Sequence, residues 1–183
     1  MFNDFGKRVI GVVGVLLTIL IGVLPAPQAS PAPEELIPTV EEHIRWFFSK
    51  APAGMEKALA LAPTVTEVAL EHGVDPLLVA VLIDCESSWR VRVSGDRGEQ
   101  GLLQVHGDAA VGHDLSTPEG QVTAGVLRLL KAHESCGGDL VATLSHYQGG
   151  SCKELRSARW RASKYHEARA RQGLDEVASP FHF

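Results

Sequence analysis

The stretch that decides the fold of this chain is residues 75–89, which read DPLLVAVLIDCESSW. Asp75 offers a side-chain acceptor for a helix N-cap, and Pro76 suits a first helical turn because no amide donor is needed there. The residues that follow are apolar on every face, so the pattern predicts a helix buried on all sides. Glu86 falls at or near the C-terminal end of that helix, where the apolar run gives way to a polar loop.

Helical patterns dominate the rest of the chain as well. Val40, Ile44 and Phe47 recur at helical spacing in an upstream segment. The predicted starts of further helices are, in chain order, Thr64 (in the capping-box sequence Thr64-Val65-Thr66-Glu67), Thr117 followed by Pro118, Asp139, and about Lys153. No stretch alternates with period two for more than a few residues, so we predict an all-α domain.

The first 33 residues differ in composition from the remainder. Lys7 and Arg8 precede an uninterrupted apolar run from Val9 to Leu24, and a proline-rich linker reaches Pro33. A basic start, an apolar middle and a small-residue exit are typical of an export signal. The run is short for a membrane span, but a proline near the cleavage points disfavours processing. A cleaved signal peptide and an uncleaved membrane anchor both remain open, and both predict export to the periplasm or cell-wall space.

The three cysteines fit an exported protein, in which a disulfide can form and persist. Cys136 and Cys152 bracket a short helical segment, and closing that loop would stabilise the fold by roughly 3 kcal/mol on the chain-entropy model. Cys85 lies in the apolar run and is expected to be a reduced core residue. Three pairings are formally open, of which we expect Cys136–Cys152.

Glu86 is the candidate for acid–base chemistry. Burial disfavours the charged form of a carboxyl, and a carboxylic acid that is still protonated near neutrality can donate a proton. Taken alone, a glutamate at a helix end more often simply reaches water. The residues that follow favour a catalytic role instead. They supply a glycine-rich loop, a glutamine and a tyrosine, in the blocks ESSW (86–89), GEQGLLQ (98–104) and HYQGG (146–150).

These blocks, with QVTAG (121–125), resemble the catalytic domain of the soluble lytic transglycosylases, relatives of goose-type lysozyme. The family pattern reads E-S-x-F, then G-A-x-G-L-M-Q, then A-Y-N-x-G, and the resemblance covers Val74 to Gly150. It implies a lysozyme-like helical fold. Departures from the pattern are Trp89, Glu99, Leu103, Gln121 and Gln148. Glu99 is the one that bears on chemistry, because an added carboxylate near the groove could favour protonation of Glu86 or contact the substrate.

The resemblance implies a peptidoglycan lytic transglycosylase that needs no cofactor and no metal. Glu86 would be the sole acid/base, and the Tyr147 hydroxyl would bond to its carboxyl and fix its rotamer. Gln104 would hold N-acetyl or hydroxyl groups of the glycan. The remaining expected substrate-binding residues are Ser87, Gly101 and Gln148.

Two alternatives remain open. A hydrolysing muramidase of the goose-lysozyme kind would need a second carboxylate to orient water, and its candidates are Asp96, Glu99, Asp108 and Asp114. A non-catalytic wall-binding or scaffold protein would keep the groove without turnover. Small size resembles specialised transglycosylases that serve secretion, conjugation or phage assemblies, which is an expectation by analogy only.

Residues 1–33 are thus assigned to the leader and linker, 34–73 to N-terminal helices, 74–152 to the catalytic core, and 153–183 to a basic C-terminal helix and tail. A net charge of −5 and export argue against nucleic-acid binding. The eight histidines lack metal-ligand spacing. The basic residues of the last helix are expected to form a solvated face or to grip anionic polymer, with Trp160 and Tyr165 pinning this helix to the domain.

Overall fold

The computed structural model describes residues 33–174 and 179–181. The apolar run Val9 to Leu24, which carries the signal or anchor prediction, lies outside these residues. Within the described part, no helix is both long enough and apolar enough to span a bilayer.

The described residues form helices and no strand, which confirms the all-α prediction; only isolated β-bridges occur. The helices are α1 (Pro33–Phe47), α2 (Met55–Leu59), α3 (Ala62–Glu71), α4 (Pro76–Glu86), α5 (Pro118–Ser135), α6 (Leu140–Gly149) and α7 (Arg156–Arg171). Short 3₁₀ turns cover Phe48–Lys50 and Gly107–Ala110. A long loop between α4 and α5 therefore carries the glycine-rich block.

Helix α4 is the central element, packed against α1, α3 and α7. Every residue from Pro76 to Ile83 is buried, and each large apolar side chain there contributes about 1.5–3 kcal/mol of burial free energy. The helix begins as predicted, because the Asp75 carboxylate accepts a hydrogen bond of 2.9 Å from the Leu77 amide. It ends at Glu86, so the buried helix places this carboxyl at the edge of the core.

The predicted helix starts at Thr117 and Asp139 are confirmed, whereas the last helix begins at Arg156, three residues after the predicted position near Lys153. The Thr117 hydroxyl accepts from the Gly120 amide, and Asp139 accepts from the Ala142 amide, as N-caps do. The capping box predicted at Thr64 is wrong, because α3 already begins at Ala62 and Thr64 lies within it.

The predicted disulfide between Cys136 and Cys152 is confirmed, with 5.4 Å between the two Cα atoms. It ties the end of α5 to the segment that follows α6. Cys85 is a free, partly buried thiol. Burial raises its pKa to about 11.

Helix α7 docks on α4 through buried polar contacts. The Tyr165 hydroxyl donates to Asp75 at 2.6 Å, and the Arg169 guanidinium pairs with the same carboxylate at 2.7 Å. Tyr165 therefore pins the helix as predicted. The corresponding expectation for Trp160 is wrong, since this residue is 52% exposed.

Candidate active site

A cavity of about 520 Å³ opens at the C-terminal end of α4. Its lining comes from α4, the long loop, α5, α6 and the beginning of α7, and comprises Glu86, Gly95, Asp96, Arg97, Glu99, Gln104, His106, Arg128, Tyr147, Gln148, Leu155 and Arg161. The fold thus brings together four of the residues singled out from the sequence: Glu86, Gln104, Tyr147 and Gln148. Ser87 and Gly101 do not line it.

The backbone is strained next to this cavity. Ser88, Trp89 and Gln104 are the non-glycine residues with positive φ in the described part, at 52°, 64° and 47°. Such conformations cost roughly 1–3 kcal/mol each and tend to mark functional sites. All three belong to the sequence blocks that carry the family resemblance. The strained turns therefore mark the same region as the motifs.

A hydrogen bond from the Trp89 indole explains how the first turn is held. The indole N–H donates to the Asp84 carboxylate, whose other oxygen lies 2.7 Å from His43 Nε2. Burial raises the pKa of Asp84, while His43 and Trp89 oppose that shift. The turn after Glu86 is consequently anchored to α1 through buried hydrogen bonds. Phenylalanine, which the family pattern has at the position of Trp89, could not donate the first of these bonds.

The glycine-rich loop is held by the side chain of Gln121. Its amide oxygen accepts from the Leu102 N–H at 2.9 Å, and its amide nitrogen donates to two loop carbonyls, those of Val91 and Leu115. A Cβ at Gly101 would lie 2.2 Å from this side chain. Gly101 is therefore needed for packing, which corrects its expected role as a backbone contact to the glycan.

Gln104 presents its amide to the cavity wall. Its nitrogen donates to the Gly101 carbonyl at 2.8 Å. A Cβ at Gly95 would meet both the Gln104 amide oxygen, at 3.2 Å, and a Glu99 carboxylate oxygen, at 2.5 Å. The two side chains therefore cover Gly95 together. The Gln104 amide nitrogen is bonded within the described loop, whereas its amide oxygen accepts no hydrogen bond there.

Glu99, the added carboxylate, is bound by its own loop. It accepts hydrogen bonds of 2.9 Å from the backbone N–H and from Nε of Arg97. Backbone hydrogen bonds from Glu99 and Arg97 lower the pKa of Glu99. This carboxylate is therefore ionised at neutral pH and stands on the wall of the same cavity as Glu86.

Ser87 faces the core rather than the cavity. It is buried, and its hydroxyl donates to the Ile83 carbonyl one turn back. This hydrogen bond satisfies the polar atom within α4, which corrects the expectation that Ser87 contacts the substrate.

Tyr147 lies beside Glu86 but makes a different hydrogen bond from the one expected. Its hydroxyl donates to the Leu103 carbonyl at 2.6 Å. The Arg128 guanidinium stands over the ring, 4.9 Å from its centre, and donates to the Tyr147 carbonyl. Burial raises the pKa of Tyr147, and the nearby Glu86 charge adds to the shift. The phenol therefore remains protonated and locks the glycine-rich loop against α6.

The direct partner of Glu86 is Arg161 on α7. Its Nη2 atom donates to Glu86 Oε1 at 2.9 Å, and the two side chains are only 14% and 15% exposed. Sequence reasoning missed this residue, because it treated the basic residues of the last helix as one solvated face. The missed signal is the series of small residues Ala158, Ala162 and Ala168, which marks a buried stripe on α7 next to Arg161.

In this all-α domain, a partly enclosed glutamate lies at the end of a buried helix and faces a polar cavity. This arrangement is that of a lysozyme-like site. The chain belongs to the Transglycosylase SLT domain family, whose family model matches residues 63–172. A search of curated proteins found no match. The family match begins before and ends after the predicted core 74–152, so it takes in nearly all of α3 and the whole of α7.

Membership confirms the soluble lytic transglycosylase resemblance and gives the chain a function of the peptidoglycan lytic transglycosylase type in general. Its place of action is accordingly periplasmic or extracellular, where peptidoglycan lies. Among the residues that the structure describes, no group of three or more potential ligands could hold a metal ion.

Proposed function

We propose that this chain cleaves the β-1,4 bond between N-acetylmuramic acid and N-acetylglucosamine without water, leaving 1,6-anhydromuramyl ends. Protonated Glu86 gives its proton to the bridging oxygen as the C1–O bond breaks, and the acetamido oxygen of the muramyl residue supports C1. The muramyl C6 hydroxyl then attacks C1, and its proton returns to the Glu86 carboxylate. The acid is regenerated and no water is consumed.

The observation that carries this proposal is the placement of Glu86. It is a carboxyl 15% exposed, fixed by a rigid buried helix, and it faces a cavity of about 520 Å³ with room for sugar rings. An intramolecular nucleophile already held in the substrate needs no second catalytic carboxylate. Gln104 supplies an amide oxygen for a sugar N–H or hydroxyl, and Tyr147 holds the loop that carries this glutamine.

A hydrolysing muramidase is the second candidate, and a specific observation favours it. Of the four carboxylates considered for orienting water, Asp96 and Glu99 line the same cavity as Glu86. Asp108 lines a neighbouring depression with His106, and Asp114 is occupied by Ser116. Asp96 and Glu99 are therefore the candidates for a water-orienting base, and Glu99 is the one that the family pattern lacks.

Mass spectrometry of the muropeptides released by the purified protein tests the proposal. Anhydro ends are lighter than reducing ends by one water, so the lyase reading predicts anhydro products from wild type and from Glu99→Gln alike. Products with reducing ends that disappear in Glu99→Gln would establish the muramidase. Glu86→Gln should abolish release. Equal inactivity of wild type and Glu86→Gln on purified sacculi would instead support the non-catalytic scaffold.

Further parts of the proposal concern location and partners. The leader of residues 1–33 would export the protein or anchor it through Val9 to Leu24, and the glycan strands of peptidoglycan would be its substrate. Local opening of the wall for a secretion, conjugation or phage assembly is a proposal by analogy with small transglycosylases. Fractionation of expressing cells would separate a cleaved signal from a retained anchor.

A further inference from the structure

The ion pair between Arg161 and Glu86 conflicts with the first step of the proposed reaction. Arg161 Nη2 donates to Glu86 Oε1, so it occupies a carboxyl oxygen that an acid catalyst would present to the glycosidic oxygen. Arg161 lies on α7, so its position depends on the docking of that helix and not on α4. The pair must therefore be rearranged before Glu86 can meet the glycosidic oxygen.

Two buried donors beside this pair lack partners. In the described part of the molecule, Nε of Arg161 and Nε2 of Gln148 are buried side-chain atoms without a hydrogen bond. Both residues line the cavity. Leaving a buried donor unpaired costs about 1–3 kcal/mol. An arrangement that pairs both donors is therefore favoured over the one in which Arg161 binds only Glu86.

The geometry of the two side chains shows what they would bind. Nε and one terminal nitrogen form the edge of a guanidinium that binds carboxylates through two hydrogen bonds. Glu86 occupies only the terminal nitrogen. The Gln148 amide oxygen accepts from the Ser157 hydroxyl at 2.6 Å, and the amide nitrogen on the other side of the group has no acceptor in the described part of the molecule. An oxygen atom of a bound ligand would give both unpaired donors an acceptor.

We propose that Arg161 and Gln148 bind an acyl oxygen of the glycan, and that this binding draws Arg161 off Glu86 and leaves the Glu86 carboxyl free to meet the glycosidic oxygen. The inference rests on the proposed function and deepens it. The acyl oxygens near the cleaved bond are those of the N-acetyl groups and of the lactyl substituent of the muramyl residue. Substrate binding and activation of the acid are thereby one event.

The other charged and titratable groups around Glu86 have to be considered. They are Asp84 and Cys85 on α4, Asp96, Arg97, Glu99 and His106 on the loop, Arg128 on α5, Tyr147 on α6, and Lys164 on α7. Histidine ordinarily titrates near neutrality. A His106→Gln background therefore shows whether a pH effect on the rate depends on His106.

Binding is tested without turnover in a Glu86→Gln background, with purified glycan strands as the probe. Adding Arg161→Gln or Gln148→Leu should each weaken binding about tenfold or more, the loss typical of a charge-assisted or buried hydrogen bond. Arg159→Gln on the same helix is the control, because its side chain is 66% exposed and pairs with Glu154. Equal affinity of Arg161→Gln and Arg159→Gln overturns the inference.

Three probes identify the oxygen. Chitooligosaccharides carry N-acetyl groups and no lactyl group, amidase-treated strands carry a free lactyl carboxylate, and intact strands carry a lactyl amide. A loss on all three assigns the N-acetyl oxygen, and a loss restricted to muramyl-containing strands assigns the lactyl oxygen. No loss on any of them rejects the subsite.

Release of Glu86 is tested by the pH dependence of turnover. Because Arg161 pairs directly with Glu86, Arg161→Gln should move the alkaline fall of the rate, both with His106 present and in the His106→Gln background. Gln148→Leu should raise KM without moving that fall. A merely structural role of Arg161 predicts a lower rate at unchanged pH dependence, and that result overturns the coupling. If wild type is inactive yet binding still requires Arg161, the proposed function fails while the subsite stands.

Discussion

Replacing Asp75 by alanine is expected to destabilise the whole domain, because this residue joins the central helix to the last one. One carboxylate oxygen caps α4 through the Leu77 amide, and the other accepts from the Tyr165 hydroxyl and the Arg169 guanidinium. The side chains of the Asp75–Arg169 pair are 4% and 9% exposed, so solvent cannot replace these contacts.

The magnitude follows from the two functions of the carboxylate. Loss of an N-cap costs about 1 kcal/mol. Removing one partner of a buried ion pair costs about 3–5 kcal/mol, because the remaining charge loses that buried contact. Contributions within one network are not additive. We therefore expect the free energy of unfolding to fall by about 3–5 kcal/mol in Asp75→Ala, and by less in Asp75→Asn, which keeps a capping oxygen.

Urea unfolding followed by circular dichroism measures this change, with the disulfide kept oxidised. The midpoint should fall while the slope stays constant, as for a loss of stability in a cooperative transition. Glu154→Ala is the matched control. It removes the partner of Arg159 in an exposed pair, and exposed pairs contribute less than about 1 kcal/mol. If Asp75→Ala costs no more than this control, the buried network does not hold α7 and the reasoning fails.

Two further predictions concern the cysteines. Cys136→Ser should lower the free energy of unfolding by about 3 kcal/mol relative to the oxidised wild type in the same urea titration, because the bond closes a loop with a sequence separation of 16. An unchanged midpoint would show that the bond adds nothing. Alkylation of Cys85 by iodoacetamide at pH 8 should be roughly 100-fold slower in the native protein than in urea, because burial raises its pKa from 9.0 to about 11. The native state holds this proton more tightly than the unfolded state does, so stability should fall as pH rises from about 9 to 11 in wild type and less in Cys85→Ala. Equal alkylation rates in both states would contradict the burial.

Helix α4 could be predicted from the sequence because its determinants are local. Asp75 and Pro76 define its start within one turn, and an apolar run has only one stable environment, the core. Glu86 falls at its end for the same reason. The failure at Thr64 has a local cause too. Pro63 favours the first turn of a helix, and the chain follows it by starting α3 at Ala62 instead of at the capping-box threonine.

The partners of the site residues could not be predicted in this way, because they depend on which backbone atoms the loop presents. Tyr147 was expected to bond to Glu86. However, the left-handed turn at Gln104 leaves the Leu103 carbonyl free, and a buried phenol takes the nearest free acceptor. Gly101 was expected to bind the substrate. In the structure, the Gln121 side chain, 20 residues further along the chain, fills the space that a Cβ at Gly101 would take.

Helix α7 shows most clearly why composition misled the sequence reasoning. Its basic residues look alike in the sequence, yet Arg161, Tyr165 and Arg169 succeed one another at a spacing of four and so lie on one face. Arg169 and Tyr165 on that face bind Asp75 at the start of α4, and Arg161 binds Glu86 at its end. The same stripe that docks α7 therefore also delivers a cation to Glu86. Sequence periodicity alone cannot reveal which arginines of a basic helix are turned inward. Because one helix holds both ends of α4, loss of the Asp75 network should disturb the pairing of Glu86 with Arg161 before it unfolds the domain.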